Sequence, residues 1–261
     1  MRLKIVLTVF AVVLVAWLIL PTLVLVPISF SEKASFNFPA QGFSFQWYEN
    51  FFTDRSWIRS TVLSIQIGLT VTVISVVLGT LAAFGLSKVK IRGRSLIENY
   101  LLTPMMVPGV VLAIGLYSVF LQYGLLGTFP GFVLAHTALA LPLVILNVGT
   151  SIQGLDSRLE LAAASLGADR VTTFFRVTLP LIAPGVVAGA VFAFVTSFDE
   201  VIVSLFIQSP GLQTLPVKIY RSVTQDTDPT VAAVAVLVTV LSVVIIGTAQ
   251  TLSRSKRKAR S

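Results

Sequence analysis

The chain has 261 residues, of which 55% are apolar and only 11% charged, with a mean hydropathy of +0.91 and a formal net charge of +8. A water-soluble domain of this length needs far more polar surface to cover its core, so a soluble globular fold is excluded. There is no cysteine, which excludes disulfides and thiolate metal sites.

Charges are confined to a few places and leave long uncharged runs at Ile5–Ser31, Ser60–Ser87, Asn99–Leu155, Val177–Phe198 and Pro229–Ser253. A helix needs about 20 apolar residues to cross roughly 30 Å of hydrocarbon. The first run gives a span near 5–28. Arg2 and Lys4 precede it as they would a signal peptide, but it is too long for a cleavable apolar region and no small-residue cleavage site follows, so it is retained. "GFSFQWYENFF" (42–52) and "DRSWIRS" (54–60) then place Trp47, Tyr48 and Trp57 beside the membrane, as interfacial anchors or a short outer helix. A surface for a periplasmic partner would also sit there, though nothing in the residues singles it out.

The second span is expected near 61–86, with Gly68, Gly79 and Gly85 allowing close packing. The run from Asn99 to Leu155 is long enough for two spans, near 99–121 and 131–150. They are separated by "QYGLLGTFPG" (122–131), whose Gly and Pro residues suit a turn. Pro104 and Pro108 are expected to disrupt the third span, and Pro142 the fourth, either as hinges lining a cavity or as packing kinks. His136, the only histidine, lies inside the fourth span, where a lone polar side chain makes an interhelical hydrogen bond or has a direct role. A fifth span near 184–207 and a sixth near 231–252 complete an all-α, polytopic, six-span membrane protein forming one transmembrane domain over residues 1–261.

With the N-terminus inside, the cytoplasmic segments carry fourteen Lys and Arg residues against five outside, a strong positive-inside bias that puts both termini in the cytoplasm. The basic tail "RSKRKAR" follows the last span directly, so anionic lipid rather than nucleic acid is its expected partner. No phosphate-binding GxxxxGK[ST] loop, nucleophile elbow or zinc motif occurs, so this chain neither binds ATP nor catalyses a reaction by any such motif.

The cytoplasmic loop 151–182 contains two short helices. "SRLE" (Ser157–Glu160) reads as a capping box, and Leu159, Ala162, Ala163 and Leu166 then recur on one helical face. Gly167 is placed to end that helix in a left-handed conformation. Asp169 can cap a second helix carrying Val171, Phe174 and Phe175, and Pro180 closes the segment. Residues alone leave two readings open, an amphipathic hairpin lying on lipid or a docking knob for a soluble partner.

In the fifth span, "TSFDEVIVS" (196–204) contains Asp199 and Glu200, the two acids placed inside a span. Counting from Pro184, they sit roughly 22 Å along the crossing, in its outer half. Intramembrane acids cost about 2.5–3.5 kcal/mol each and face a pathway or a partner. On a continuous helix Thr196, Glu200 and Ser204 share one face while Asp199 points about 100° away. The acids would then line a substrate path, or pair with Lys218, Arg221 or a sister subunit at a polar helix end.

The loop resembles that of bacterial binding-protein-dependent ABC importer permeases, whose pattern is Glu-Ala-Ala, three residues, Gly, nine residues, Ile, one residue, Leu-Pro. Ala162, Ala163, Gly167, Val177, Leu179 and Pro180 match that spacing. Leu161 stands in the glutamate slot, and Glu160, one residue early, is turned by about 100° and does not inherit that glutamate's role. "SFDE", "TLPVKIY" and "DPTVAA" resemble the subgroup serving spermidine and putrescine. The resemblance implies a type I ABC importer transmembrane domain in the bacterial inner membrane. Its partners would be two ATPase subunits that bind the ATP, a second permease subunit read as a paralogue, and a periplasmic substrate-binding protein. The loop would insert into a groove on the ATPase, and a cationic polyamine would suit the two acids. Competing readings are the same architecture importing an opine, an amino-acid-like compound or an oxyanion, and an ion-coupled secondary transporter, which the absence of an internal repeat argues against.

Overall fold

In lipid every backbone polar group must be satisfied within the protein, and a helix does this within a single segment. The structure, a computed structural model, describes residues 2–88, 93–226, 228–241 and 243. Among the described residues all regular secondary structure is helical, apart from one isolated bridge between Ser209 and Leu212. Two compact units share the chain: Met1–Ile58 with the described residues from Ile219 onward, and Arg59–Lys218.

In the first unit, α1 (Arg2–Ser29) is apolar on every side and none of its most apolar window is buried, as expected of a lipid-facing span. Beyond it, Phe30 stacks on Phe43 at 5.1 Å and meets Phe45 edge-on at 5.3 Å. Trp47 opens the short helix α2 (Gln46–Thr53) and donates from its indole to the Ser31 carbonyl at 2.6 Å. A short helix is therefore present there. Trp57, expected as an anchor, is instead only 1% exposed and packs edge-on against Phe51, because it falls on the inward side of the helix that follows.

That helix, α3 (Arg55–Lys88), carries the chain into the second unit. There α4 (Arg94–Met106) and α5 (Gly109–Gln122) form one apolar pair bent by 100°. The bend lies at Val107–Pro108, not at Pro104, which stays inside α4. A residue before proline is pushed out of helical geometry, and Val107 is extended, at φ −78° and ψ 129°. Pro142 does not disrupt the fourth crossing as expected. Helix α6 runs unbroken over Phe129–Gln153 with Pro142 buried within it, since packed neighbours let a membrane helix tolerate a lost hydrogen bond.

Loop 151–182 forms α7 (Arg158–Ser165) and α8 (Arg170–Thr173), then a π-helical turn over Phe174–Thr178 that feeds α9 (Leu179–Phe198). The fifth crossing is not continuous to 207. It stops at Phe198 and resumes as α10 (Ile202–Ile207), followed by α11 (Leu215–Arg221). In the first unit, α12 is described over Thr230–Leu241, and nearly all of the rest of the expected sixth span lies outside the described residues. Four described helices are long and apolar enough to cross a membrane, five if the bent pair counts as one crossing.

The core of the second unit is the seam between α6 and α9. Gly185, Gly189, Ala193 and Ser197 recur every four residues and are all buried. A β-carbon at Gly185 would meet the Asn147 carbonyl oxygen at 2.6 Å, and one at Gly189 the Val144 Cα at 3.2 Å. Small residues here let two backbones touch, which drives association where no hydrophobic effect operates between helices. Gly68 and Gly79 of α3 make room instead for the side chains of Phe194 and Val144, whereas a β-carbon at Gly85 would meet nothing within 4 Å.

Candidate functional site

Two places combine polar residues with unusual backbone: the gap between α9 and α10, and the hairpin α7–α8. The gap covers Asp199–Val201. Asp199 leaves the helix at φ −94° and ψ 1°, and is exposed. Glu200, partly buried, turns its carboxylate onto the first turn of α10 and accepts the Val203 N–H at 2.7 Å. An acid at that position satisfies a backbone donor otherwise orphaned at a helix start and complements the helix dipole.

This overturns the single face expected for Thr196, Glu200 and Ser204, which required an unbroken helix. Thr196 remains on α9, half-buried; Glu200 caps α10; Ser204 is wholly buried and turned away from both. Ser204 hydrogen-bonds His136 Nε2 at 3.0 Å, and Ser197 hydrogen-bonds His136 Nδ1 at 2.9 Å. Of the two roles left open for His136, the interhelical hydrogen bond is therefore present. Sequence reasoning missed the part played by Ser197. The signal available was a pair of serines bracketing two acids, in a span whose neighbour carries the chain's single histidine.

In the hairpin the capping box does not form. Ser157 is helical and makes no side-chain cap bond; Asp156 accepts the Arg158 N–H at 2.9 Å in its place. A carboxylate one residue earlier offers the N-terminus a charged acceptor, the stronger kind. Glu160 is thereby released from the capping role and accepts the Thr178 hydroxyl at 2.9 Å, tying α7 to the foot of α9. Asp169 does cap α8, accepting the Thr172 N–H at 2.8 Å, and hydrogen bonding from the Thr172 side chain and then from this N–H holds its carboxyl below the usual range.

Gly167 has φ +84° and closes α7 by a paired motif, its own N–H bonding Ala164 O and the Ala168 N–H bonding Ala163 O. Around it Ala162 is exposed and Ala163 half-buried, while Leu161, Leu166, Val171 and Phe175 are 60% exposed or more. Phe174 folds back edge-on against Phe84, and Val177 and Leu179 sit half-buried at the foot of α9 with Pro180 exposed beside them. The hairpin is anchored at its base and apolar at its tip.

The family described as the binding-protein-dependent transport system inner membrane component matches residues 75–258. The chain belongs to this family of importer permeases. The permease is 33% identical over 245 residues to the spermidine/putrescine transport system permease protein PotC of Haemophilus influenzae, covering 94% of this chain and 95% of that one. It is 32% identical to PotC of Escherichia coli K12, over 97% and 95% of the two chains, and 29% identical to the putrescine permease PotI of that organism, over 84% and 80%. The crystal structure of a bacterial ABC transporter that imports the acidic polysaccharide alginate superposes with a TM-score of 0.73 at 18% identity, over 96% of this chain and 95% of that one. That likeness establishes the fold, an ABC importer transmembrane domain. The permease is accordingly a multi-pass protein of the inner membrane and not an enzyme, in keeping with what its relatives are.

Proposed function

We propose that this permease carries a small cation of the polyamine class, spermidine or putrescine, inward across the membrane. The observation that carries the reading is the acid pair Asp199–Glu200 at a break in the fifth crossing, and the names of the polyamine permease relatives support it. Non-helical backbone at membrane depth is tolerated where it is buried in protein or lines a water-filled cavity. Exposed Asp199 is the freer acid in the present geometry, while Glu200 contributes from its capping position. Val107–Pro108 is the hinge candidate on the third crossing, with Pro104 inside α4.

The transport cycle would draw on two ATPase subunits that bind the ATP, a second permease subunit and a periplasmic binding protein. The hairpin α7–α8, within loop 151–182, would dock on an ATPase through its exposed apolar tip, a role supported by the chain's membership of the importer permease family. Both termini would lie in the cytoplasm. Cysteine introduced at Arg158 should resist an impermeant thiol reagent in sealed cells, while cysteine at Tyr123, on the turn after the third crossing, should react. The reverse labelling pattern overturns the orientation.

An ammonium–carboxylate contact at 4 Å is worth up to roughly 4 kcal/mol at an effective dielectric of 20, before desolvation removes much of it. A net gain of about 1–2 kcal/mol corresponds to about a tenfold change in apparent affinity. In reconstituted vesicles Asp199→Asn is therefore expected to raise the KM for spermidine about tenfold while basal ATP hydrolysis and assembly stay near normal. Glu200→Gln should raise it less, since the amide oxygen still caps Val203. Wild-type spermidine transport by both variants, or an anionic native solute, makes the pair structural and rejects the substrate reading.

A further inference from the structure

The stretch "SFDEVIVS" contains neither glycine nor proline, yet the fifth crossing breaks inside it. Two interactions hold the break open: the Glu200 carboxylate on the Val203 N–H, and His136, which reaches across from α6 to hydrogen-bond Ser197 on one side and Ser204 on the other. His136 and Ser204 are fully buried and Ser197 is 5% exposed. A neutral imidazole presents one donor and one acceptor, and a serine hydroxyl can answer as either, so both tautomers are satisfied. In an unbroken helix the two serines would stand about 10 Å apart along the axis. That is a stretch for one ring making bonds of 2.9 and 3.0 Å, and the break draws them together.

We infer that His136 is a positioning residue, a staple across the α9–α10 break that fixes where Asp199 and Glu200 stand in the path. The ring is held in place by α6, which is packed along its seam with α9, and by the edge-on contact of Phe132 at 5.8 Å. Without the staple, nothing in the local sequence prevents α9 from continuing through 199–201. Glu200 would then leave its cap and both carboxylates would rotate about the axis. The transport consequence rests on the polyamine reading; the geometric one does not.

The test uses the assembled transporter in detergent or vesicles, with spin labels at Val195 and Phe206, which are 53% and 37% exposed on either side of the break. His136→Leu removes both hydrogen bonds, whereas His136→Gln keeps one donor and one acceptor. His136→Leu should shift or broaden the interlabel distance and raise the KM for spermidine at least fivefold, with maximal rate within about twofold. His136→Gln should restore both readouts toward wild type. If His136→Leu does not accumulate, Ser197→Ala with Ser204→Ala removes the same bonds without altering the ring. An unchanged interlabel distance in His136→Leu or the double serine variant overturns the staple, as does equal impairment by leucine and glutamine. A changed distance with unchanged spermidine KM upholds the staple and rejects the substrate reading.

Discussion

Gly189→Leu is expected to leave little folded permease in the membrane. The seam between α6 and α9 is closely packed, and at Gly189 the facing atoms are the Val144 backbone Cα and the branched side chain it carries. A bare β-carbon there already lies 3.2 Å from both Cα and Cγ1 of Val144, tighter than ordinary van der Waals contact, and leucine adds three further carbons. A side chain can turn away from such an intrusion; a helix backbone can only be pushed off. Overpacking of a well-filled core costs typically 1–3 kcal/mol when side chains can adjust, so here a loss of about 3 kcal/mol or more is expected. Separation of the helices would also draw Ser197, two turns further along the same stripe, from His136. Gly149→Ala is the matched control, since it lies in α6 with nothing within 4 Å of its β-carbon, and it should be neutral or slightly stabilising. Protein yield in the membrane fraction and the thermal midpoint of the purified complex measure both. Wild-type yield and midpoint for Gly189→Leu would show that the seam is far looser than its geometry indicates.

Where physics acts along the chain, the sequence was readable. The requirement to satisfy backbone groups in hydrocarbon makes a long uncharged run a helix almost regardless of its residues, and α1, α3, α6 and α9 lie where those runs predicted. The proline pair marked the third span as disrupted, though only Pro108 stands at the break, and the left-handed requirement located Gly167. Where distant residues act, it was not. The break after Phe198 depends on a ring sixty-one residues away in sequence and on a cap that Glu200 makes only once the helix has stopped. The failed capping box has the same character: Ser157 and Glu160 carry the right spacing, but Asp156 competes for the N-terminus and Thr178, eighteen residues on, captures Glu160. Trp57 looked interfacial by type and position, and only the packing of Phe51 shows it to be core. Pro142 shows the reverse error, a local rule overridden by neighbours.

Gly167→Asp is expected to cut uptake at least tenfold without reducing the amount of permease in the membrane. Gly167 stands at φ +84°, and its N–H, with that of Ala168, closes the last turn of α7 onto Ala164 and Ala163. A β-substituted residue in that region costs about 1–2 kcal/mol, enough to populate other loop geometries. There is open space around the position, so no clash adds to the strain and folding of the spans is untouched. The second effect is chemical. Leu166, 88% exposed, and Leu161, 67% exposed, form an apolar tip beside Gly167. A carboxylate set among them would have to be desolvated on docking into any apolar groove, at a cost of several kcal/mol when unpaired. Asparagine matches aspartate in shape and in its tolerance of the left-handed region but carries no charge, so Gly167→Asn should keep most of the activity, while Gly167→Ala, uncharged but less tolerant, reports strain. Asn near wild type assigns the Gly167→Asp loss to the carboxylate, and Asn impaired as far as Asp assigns it to the loss of glycine's backbone freedom. Uptake and substrate-stimulated ATP hydrolysis should fall together in Gly167→Asp, because a knob that cannot seat transmits force in neither direction. Wild-type uptake by Gly167→Asp at normal abundance would mean that the hairpin lies on the lipid and that the contact with the ATPase is made elsewhere.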